Sequence, residues 1–156
     1  MDRFLSNFVH NIDSKGRVSI PAAFRQVIAA RGIRELFTMR SLTHPVMDVG
    51  GPELMERFER QMDGEDPFGE AYQDLSIFAF GDGAYLKSDS EGRILVTDFI
   101  RTHTGIKDRV AFVGARGFFQ LWEPDYFEAY RNEARARLMA ARSGARPAGS
   151  PPGSPE

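Results

Sequence analysis

Two arginines stand in the same small setting. Arg17 follows Asp13-Ser14-Lys15-Gly16, and Arg93 follows Asp89-Ser90-Glu91-Gly92. A guanidinium is a planar fork that can donate to both acceptors on a guanine edge or to two oxygens of one phosphate. Asp closes a turn by accepting from the backbone ahead of it, and Gly takes the positive φ that a tight turn needs. An arginine on the first strand residue after such a turn has a rigid base and a free head. A two-stranded ribbon carrying it fits the major groove of duplex DNA. Lys15, at the turn tip, adds a phosphate contact and therefore salt dependence. Arg3, Arg25 and Arg40 extend the same basic face. A plainer reading uses the same spacing: each Asp forms a salt bridge with its Arg across the turn. The two readings combine if the Asp orients the Arg. Asp13 and Asp89 themselves read as turn formers, because phosphates repel a carboxylate.

The elements that position these residues also recur. Asp13 to Arg25 reads turn, short strand, Pro21, then a helix carrying Phe24 and Arg25. Asp89 to Arg101 repeats that order, with Thr97 in place of Pro21 and Glu91 in place of Lys15. A repeat of this length in 156 residues implies two copies of one small unit. In each copy the strand before the turn, Phe4–Ile12 or Tyr85–Ser88, is expected to pair with the strand after it. Leu5, Phe8 and Val9 supply the apolar positions of the first strand. Short strands are expected at 36–39 and 46–49, and a hairpin joins 109–113 to 118–122. Helices are expected from Pro52 to about Met62, from Phe68 to Phe80 with Ala71, Leu75 and Phe78 aligned, and from Pro124 with Tyr126, Phe127, Tyr130 and Ala134 inward. From about Ser143 the chain is Gly, Ser, Pro and Ala, the composition of a disordered tail. The fold class is therefore α+β, mainly β. A unit of ~50 residues buries too little to stand alone, so the two copies are expected to complete each other's core.

Composition narrows the function classes. The net charge is −2, which does not suit a general nucleic-acid binder, but the charge is unevenly spread. Residues 1–40 hold seven Lys/Arg against three Asp/Glu, 41–91 hold three against twelve, and 92–156 hold ten against seven. Each copy of the repeat therefore lies on a basic segment, with the acid between them. The chain has no Cys, which removes disulfides and thiolate chemistry. No stretch approaches the ~20 apolar residues of a membrane span, and no leader opens the sequence. His10, His44 and His103 are isolated, so no metal is expected. The Gly-containing loops at 81–83 and 114–117 match no phosphate-binding fingerprint. Ser19 and Thr97 have no general base beside them. No catalytic residue, cofactor or small-molecule substrate is expected, and the chain does not read as an enzyme.

On the double motif Asp13–Arg25 and Asp89–Arg101, and on Phe112-Val113-Gly114 and Phe119-Gln120-Leu121-Trp122-Glu123-Pro124, the chain closely resembles the MraZ family over about residues 1–140. The resemblance implies two AbrB-like swapped-hairpin half-domains, 1–80 and 81–142, forming a pseudo-twofold β-barrel with peripheral helices. It implies a sequence-specific transcriptional regulator, a repressor, that binds promoter repeats of the division and cell-wall gene cluster. It also implies a homo-oligomeric ring and a place on the nucleoid in the cytoplasm. Asp13 with Arg17 and Asp89 with Arg93 are the pairs it ascribes to DNA binding. The departures at Glu91 and Thr97 favour the first copy. Two rivals stay open: a structural oligomer that binds another protein, and an AbrB-class antitoxin, although residues 143–156 lack the apolar anchors a toxin-wrapping tail needs.

Overall fold

The computed structural model describes residues 2–144, so most of the segment read as a tail lies outside the described residues. The elements run β1 (Asn7–Asn11), β2 (Arg17–Ser19), α1 (Ala22–Ala30), β3 (Leu36–Arg40), β4 (Met47–Gly50), α2 (Pro52–Asp63), α3 (Glu70–Leu75), β5 (Ala84–Leu86), β6 (Arg93–Leu95), α4 (Asp98–Thr104), β7 (Arg109–Gly114), β8 (Phe119–Trp122) and α5 (Pro124–Arg142). The class is α+β, built on sheet. Six strands are ordered β1-β7-β8-β4-β3-β5, and β2 pairs with β6 in a separate two-stranded ladder. All pairs are antiparallel.

The strands flanking each turn do not pair with each other. β1 lies along β7, with Phe8 opposite Phe112, and β5 lies along β3. β2 crosses instead to its repeat, with Val18 opposite Ile94. Each turn is closed by its own aspartate and does not need a ladder below it. Each three-residue strand has one strongly apolar residue to bury at its centre. Val18 and Ile94 are both fully buried when the copies face each other, which two separate hairpins would not achieve. The expected hairpin of residues 109–122 does form, as β7 and β8.

Period-two alternation sorts the large sheet into two faces. Leu36, Met47, Val49, Phe119, Leu121, Val110 and Phe112 point to one side, where Phe4, Phe24, Val27, Val18, Ile94, Val96 and Ile100 cover them. Phe37 and Met39 point to the other, against Leu54 and Ala79. Phe4 and Phe8 serve the core at the start of the chain, while Leu5 and Val9 are exposed. The expected roles of Leu5 and Val9 fail because both fall on the opposite parity from Phe4 and Phe8, so period-two alternation turns them outward.

Both post-turn helices start where the motif places them. Pro21, with φ −52°, precedes α1. At the equivalent place Thr97 accepts from the Ile100 amide at 3.2 Å and caps α4. The Pro-to-Thr change therefore replaces one helix start with another. The helix expected at 68–80 is shorter and irregular. α3 begins at Glu70 and passes into a π-helical turn over Ser76–Gly81. The extra residue per turn brings Ala79 into the core and Phe80 against Phe37 and leaves Phe78 exposed, while Ala71, in the regular turn before it, is exposed as well. The π-turn thus breaks the expected Ala71–Leu75–Phe78 stripe. In α5 no residue is buried. Tyr126 stacks on Tyr130 at 6.4 Å, and Arg131 and Arg137 lie over the rings of Phe127 and Tyr130.

Candidate nucleic-acid interface

The two turns are near copies in atomic detail. Asp13 Oδ1 accepts from the amides of Lys15 (2.8 Å) and Arg17 (2.9 Å). Asp89 Oδ1 accepts from those of Glu91 (2.9 Å) and Arg93 (3.0 Å). In each turn the Asp amide donates to the Arg carbonyl, and the Gly amide donates to the Asp carbonyl. Gly16 and Gly92 have φ of 78° and 75°, which a side chain adopts only with strain. The ladder continues across the two copies: Ile20 N donates to Gly92 O, and Val96 N donates to Gly16 O. The two Asp-Gly turns are thereby tied to each other through Gly16, Ile20, Gly92 and Val96.

Both carboxyls are held below the usual aspartate range. For Asp13 the largest cause is the Arg17 amide, followed among the lowering causes by the Lys15 amide and the charge of Arg93. For Asp89 it is the Arg93 amide, then the Glu91 amide and the Arg93 side chain. A depressed folded pKa means the turn gains stability above the unfolded value and loses it as pH falls through the folded one. Carboxyl NMR titration is therefore expected to give both midpoints below about 3.9. A midpoint at or above that value for either residue contradicts the geometry.

The arginines differ. Arg93 Nε donates to Asp89 Oδ2 at 2.9 Å, and its terminal nitrogens lie 3.3 Å from Glu91 and 3.7 Å from Asp13. These carboxylates raise its pKa, with the Asp89 hydrogen bond the largest cause. Arg17 makes no side-chain ion pair with any described residue, nor does Lys15 at the exposed tip. The salt-bridge reading of the Asp-to-Arg spacing thus describes Arg93, and the free-headed reading describes Arg17.

The remaining sequence candidates are placed as follows. Arg25 reaches the second turn: a Cβ on Gly92 would lie 2.6 Å from its Cδ. Its repeat partner Arg101 instead donates to the Lys107 carbonyl. Arg3 pairs with Asp2 at 2.8 Å and belongs to a different group, with Arg31, Glu53 and Arg116. Arg40 does not extend a basic face. It pairs with Asp82 and lies over Phe78 (5.0 Å) and Phe99 (5.5 Å), tying β3 to the π-turn and α4. Sequence reasoning missed a polar chain through β4 and β8, in which Trp122 donates to Gln120 and Gln120 donates to buried Asp48. The alternation in Phe119-Gln120-Leu121-Trp122 was the available signal.

No family model matches the chain. A protein named transcriptional regulator MraZ from Rhizobium johnstonii is 50% identical over 141 residues, 90% of this chain and 97% of the relative. The chain belongs to the MraZ family. A MraZ of Rhizobium meliloti is likewise 50% identical, over 86% of this chain and 92% of its own length. A MraZ of Azorhizobium caulinodans is 40% identical over 142 residues, 91% of this chain and 90% of its own. No described helix is long and apolar enough to cross a membrane. Among the described residues no group of three His, Asp or Glu is placed to hold a metal ion.

Proposed function

We propose that this MraZ-family chain is a sequence-specific DNA-binding transcriptional regulator that reads DNA chiefly through the first turn. The observation that carries this is the Arg17 guanidinium, which forms no ion pair with a described residue, on a turn fixed by Asp13 and Gly16. Lys15 supplies the adjoining phosphate contact, and Asp13 and Asp89 hold the turns in shape. The regulator acts as a repressor on promoter repeats of the division and cell-wall gene cluster, at the nucleoid in the cytoplasm. Residues 1–80 and 81–142 act as two AbrB-like half-domains in a swapped-hairpin arrangement, for which the β2–β6 pairing between the copies is the support.

Charge at the turns supports assembly as well. Lys15, Arg17 and Arg93 are balanced by Asp13, Asp89 and Glu91, so the two turns of one chain carry no net charge. One copy alone would attract DNA weakly. Several copies in a closed ring, facing tandem repeats, convert later contacts into intramolecular ones and recover affinity.

The test is a mobility shift with the DNA upstream of the protein's own gene against scrambled DNA, at two salt concentrations. Preference for the native DNA and a steep fall with salt are expected. Equal binding to both DNAs would instead favour a protein-interaction module, a reading for which exposed Phe68 and Ile77 speak. A second variant tests the asymmetry. Glu91→Lys gives the second turn the residue of the first and removes one carboxylate from Arg93. Its DNA binding is expected to be tighter at low salt, with a log–log salt slope steeper by about one. An unchanged slope removes the second turn from the interface.

A further inference from the structure

A groove of about 420 Å³ opens between α1, the start of β3, β5 and the second turn. Arg25, Arg34 and Lys87 stand around it, with Glu35 as the carboxylate of the lining. None of the three cations forms an ion pair with a described residue, whereas Arg31, Arg40 and Arg93 all do. Half-buried Ile28, Ile33 and Leu86 make an apolar floor. Tyr85, 62% exposed, stands at the rim.

This combination points away from a bare ion and away from a nucleic-acid backbone. Phosphate groups on a strand need cations but gain nothing from an isoleucine floor. The volume lies within the ~300–1,000 Å³ of small-molecule pockets, which typically join apolar walls to a few convergent polar groups. Here three cations face a single carboxylate, Glu35, so the lining is net positive. The repeat gives an internal comparison: Arg101, the counterpart of Arg25, is engaged with the Lys107 carbonyl. Gly92 completes the arrangement, since its missing Cβ and positive φ leave room for the Arg25 stem across the turn.

We propose that this groove binds a small organic anion, with a charged head held by Arg25, Arg34 and Lys87 and an apolar or aromatic body on the Ile28–Ile33–Leu86 floor beside Tyr85. Because Arg25 also lies on the second turn, the bound anion neutralises a cation beside Arg93. Occupancy therefore lowers affinity for DNA.

Isothermal titration of the full chain tests the site, using phenyl phosphate, benzoate and inorganic phosphate as probes. Phenyl phosphate is expected to bind one per chain and about tenfold or more tighter than inorganic phosphate, because its ring buries apolar surface. Benzoate shows whether a carboxylate head also serves. Arg34→Glu and Lys87→Glu are each expected to weaken phenyl phosphate about threefold or more, through charge reversal at exposed positions. Arg60→Glu, on α2 and outside the lining, is the unchanged control. Equal binding of phenyl phosphate and inorganic phosphate overturns the proposal, as does indifference to both groove substitutions. Binding that disappears as the protein is concentrated overturns it too, and assigns the groove to a second copy of the chain. The DNA arm, a mobility shift with and without phenyl phosphate, rests on the regulator reading. The titration does not, so the two can fail separately.

Discussion

Phe24→Ala is expected to lower the unfolding free energy by about 3–5 kcal/mol, the usual loss for an emptied aromatic core site. Phe24 is fully buried, and four aromatic rings surround it: Phe119 at 5.1 Å, Phe4 at 5.4 Å, Phe8 at 5.5 Å and Phe112 at 6.5 Å. These rings come from the start of the chain and from β1, β7 and β8. The cavity would therefore weaken the join between the first copy and the sheet at several points. Against a typical total of ~5–15 kcal/mol, such a loss is a large share. Denaturant unfolding should show a lower midpoint with an unchanged slope. Phe68→Ala is the comparison, since that ring is 93% exposed and should change stability by less than about 0.5 kcal/mol. A Phe24→Ala loss below about 1.5 kcal/mol would mean that the surrounding rings collapse into the space, against the usual cost of such cavities.

Arg17→Ala is expected to remove roughly 1–3 kcal/mol of discrimination between native and scrambled DNA, about a ten- to hundredfold loss of preference. The fold should be untouched, because the side chain makes no ion pair with any described residue. Arg93→Ala should give the opposite balance. It strips a partner from Asp89, Glu91 and Asp13, so its first effect is on the stability of the paired turns, and its effect on DNA preference is smaller. Binding and thermal unfolding should be measured on both variants. If Arg93→Ala loses the preference at full stability while Arg17→Ala binds as wild type, the order of the two turns is reversed.

The features legible in the sequence are those decided within a few residues. Asp13, Gly16, Asp89 and Gly92 set both turns locally, and Pro21 and Thr97 set both helix starts, so these follow from residue type and spacing. The partners of the strands were not legible. Arg17–Ser19 is too short for its pattern to name a neighbour, and burial of Val18 on Ile94 depends on residues 76 positions apart. The π-turn at Ser76–Gly81 was invisible because a stripe drawn at 3.6 residues per turn assumes the regular helix it is meant to detect. At the candidate site the motif brought Asp13, Arg17, Asp89 and Arg93 together. It could not say which arginine is engaged, because both stand at the same spacing from an Asp, and only the side-chain placement shows Arg93 held by its own Asp89 and Glu91, with Asp13 of the other copy farther off. Arg40 was misread for a related reason: its partners Asp82, Phe78 and Phe99 come from later segments.

The pairing of β1 with β7 also bears on synthesis. Phe8 meets Phe112 only after about a hundred further residues have been added, which at ~5–20 residues per second is roughly 5–20 s of translation. During that interval β1 has no partner strand, and the Phe24 cluster lacks the rings of Phe112 and Phe119. The nascent chain thus carries an open apolar edge on the ribosome. Contacts so distant in sequence also slow the final closure. A chaperone that shields emerging aromatic segments would find its target in the first thirty residues, and release should coincide with the emergence of β7 and β8.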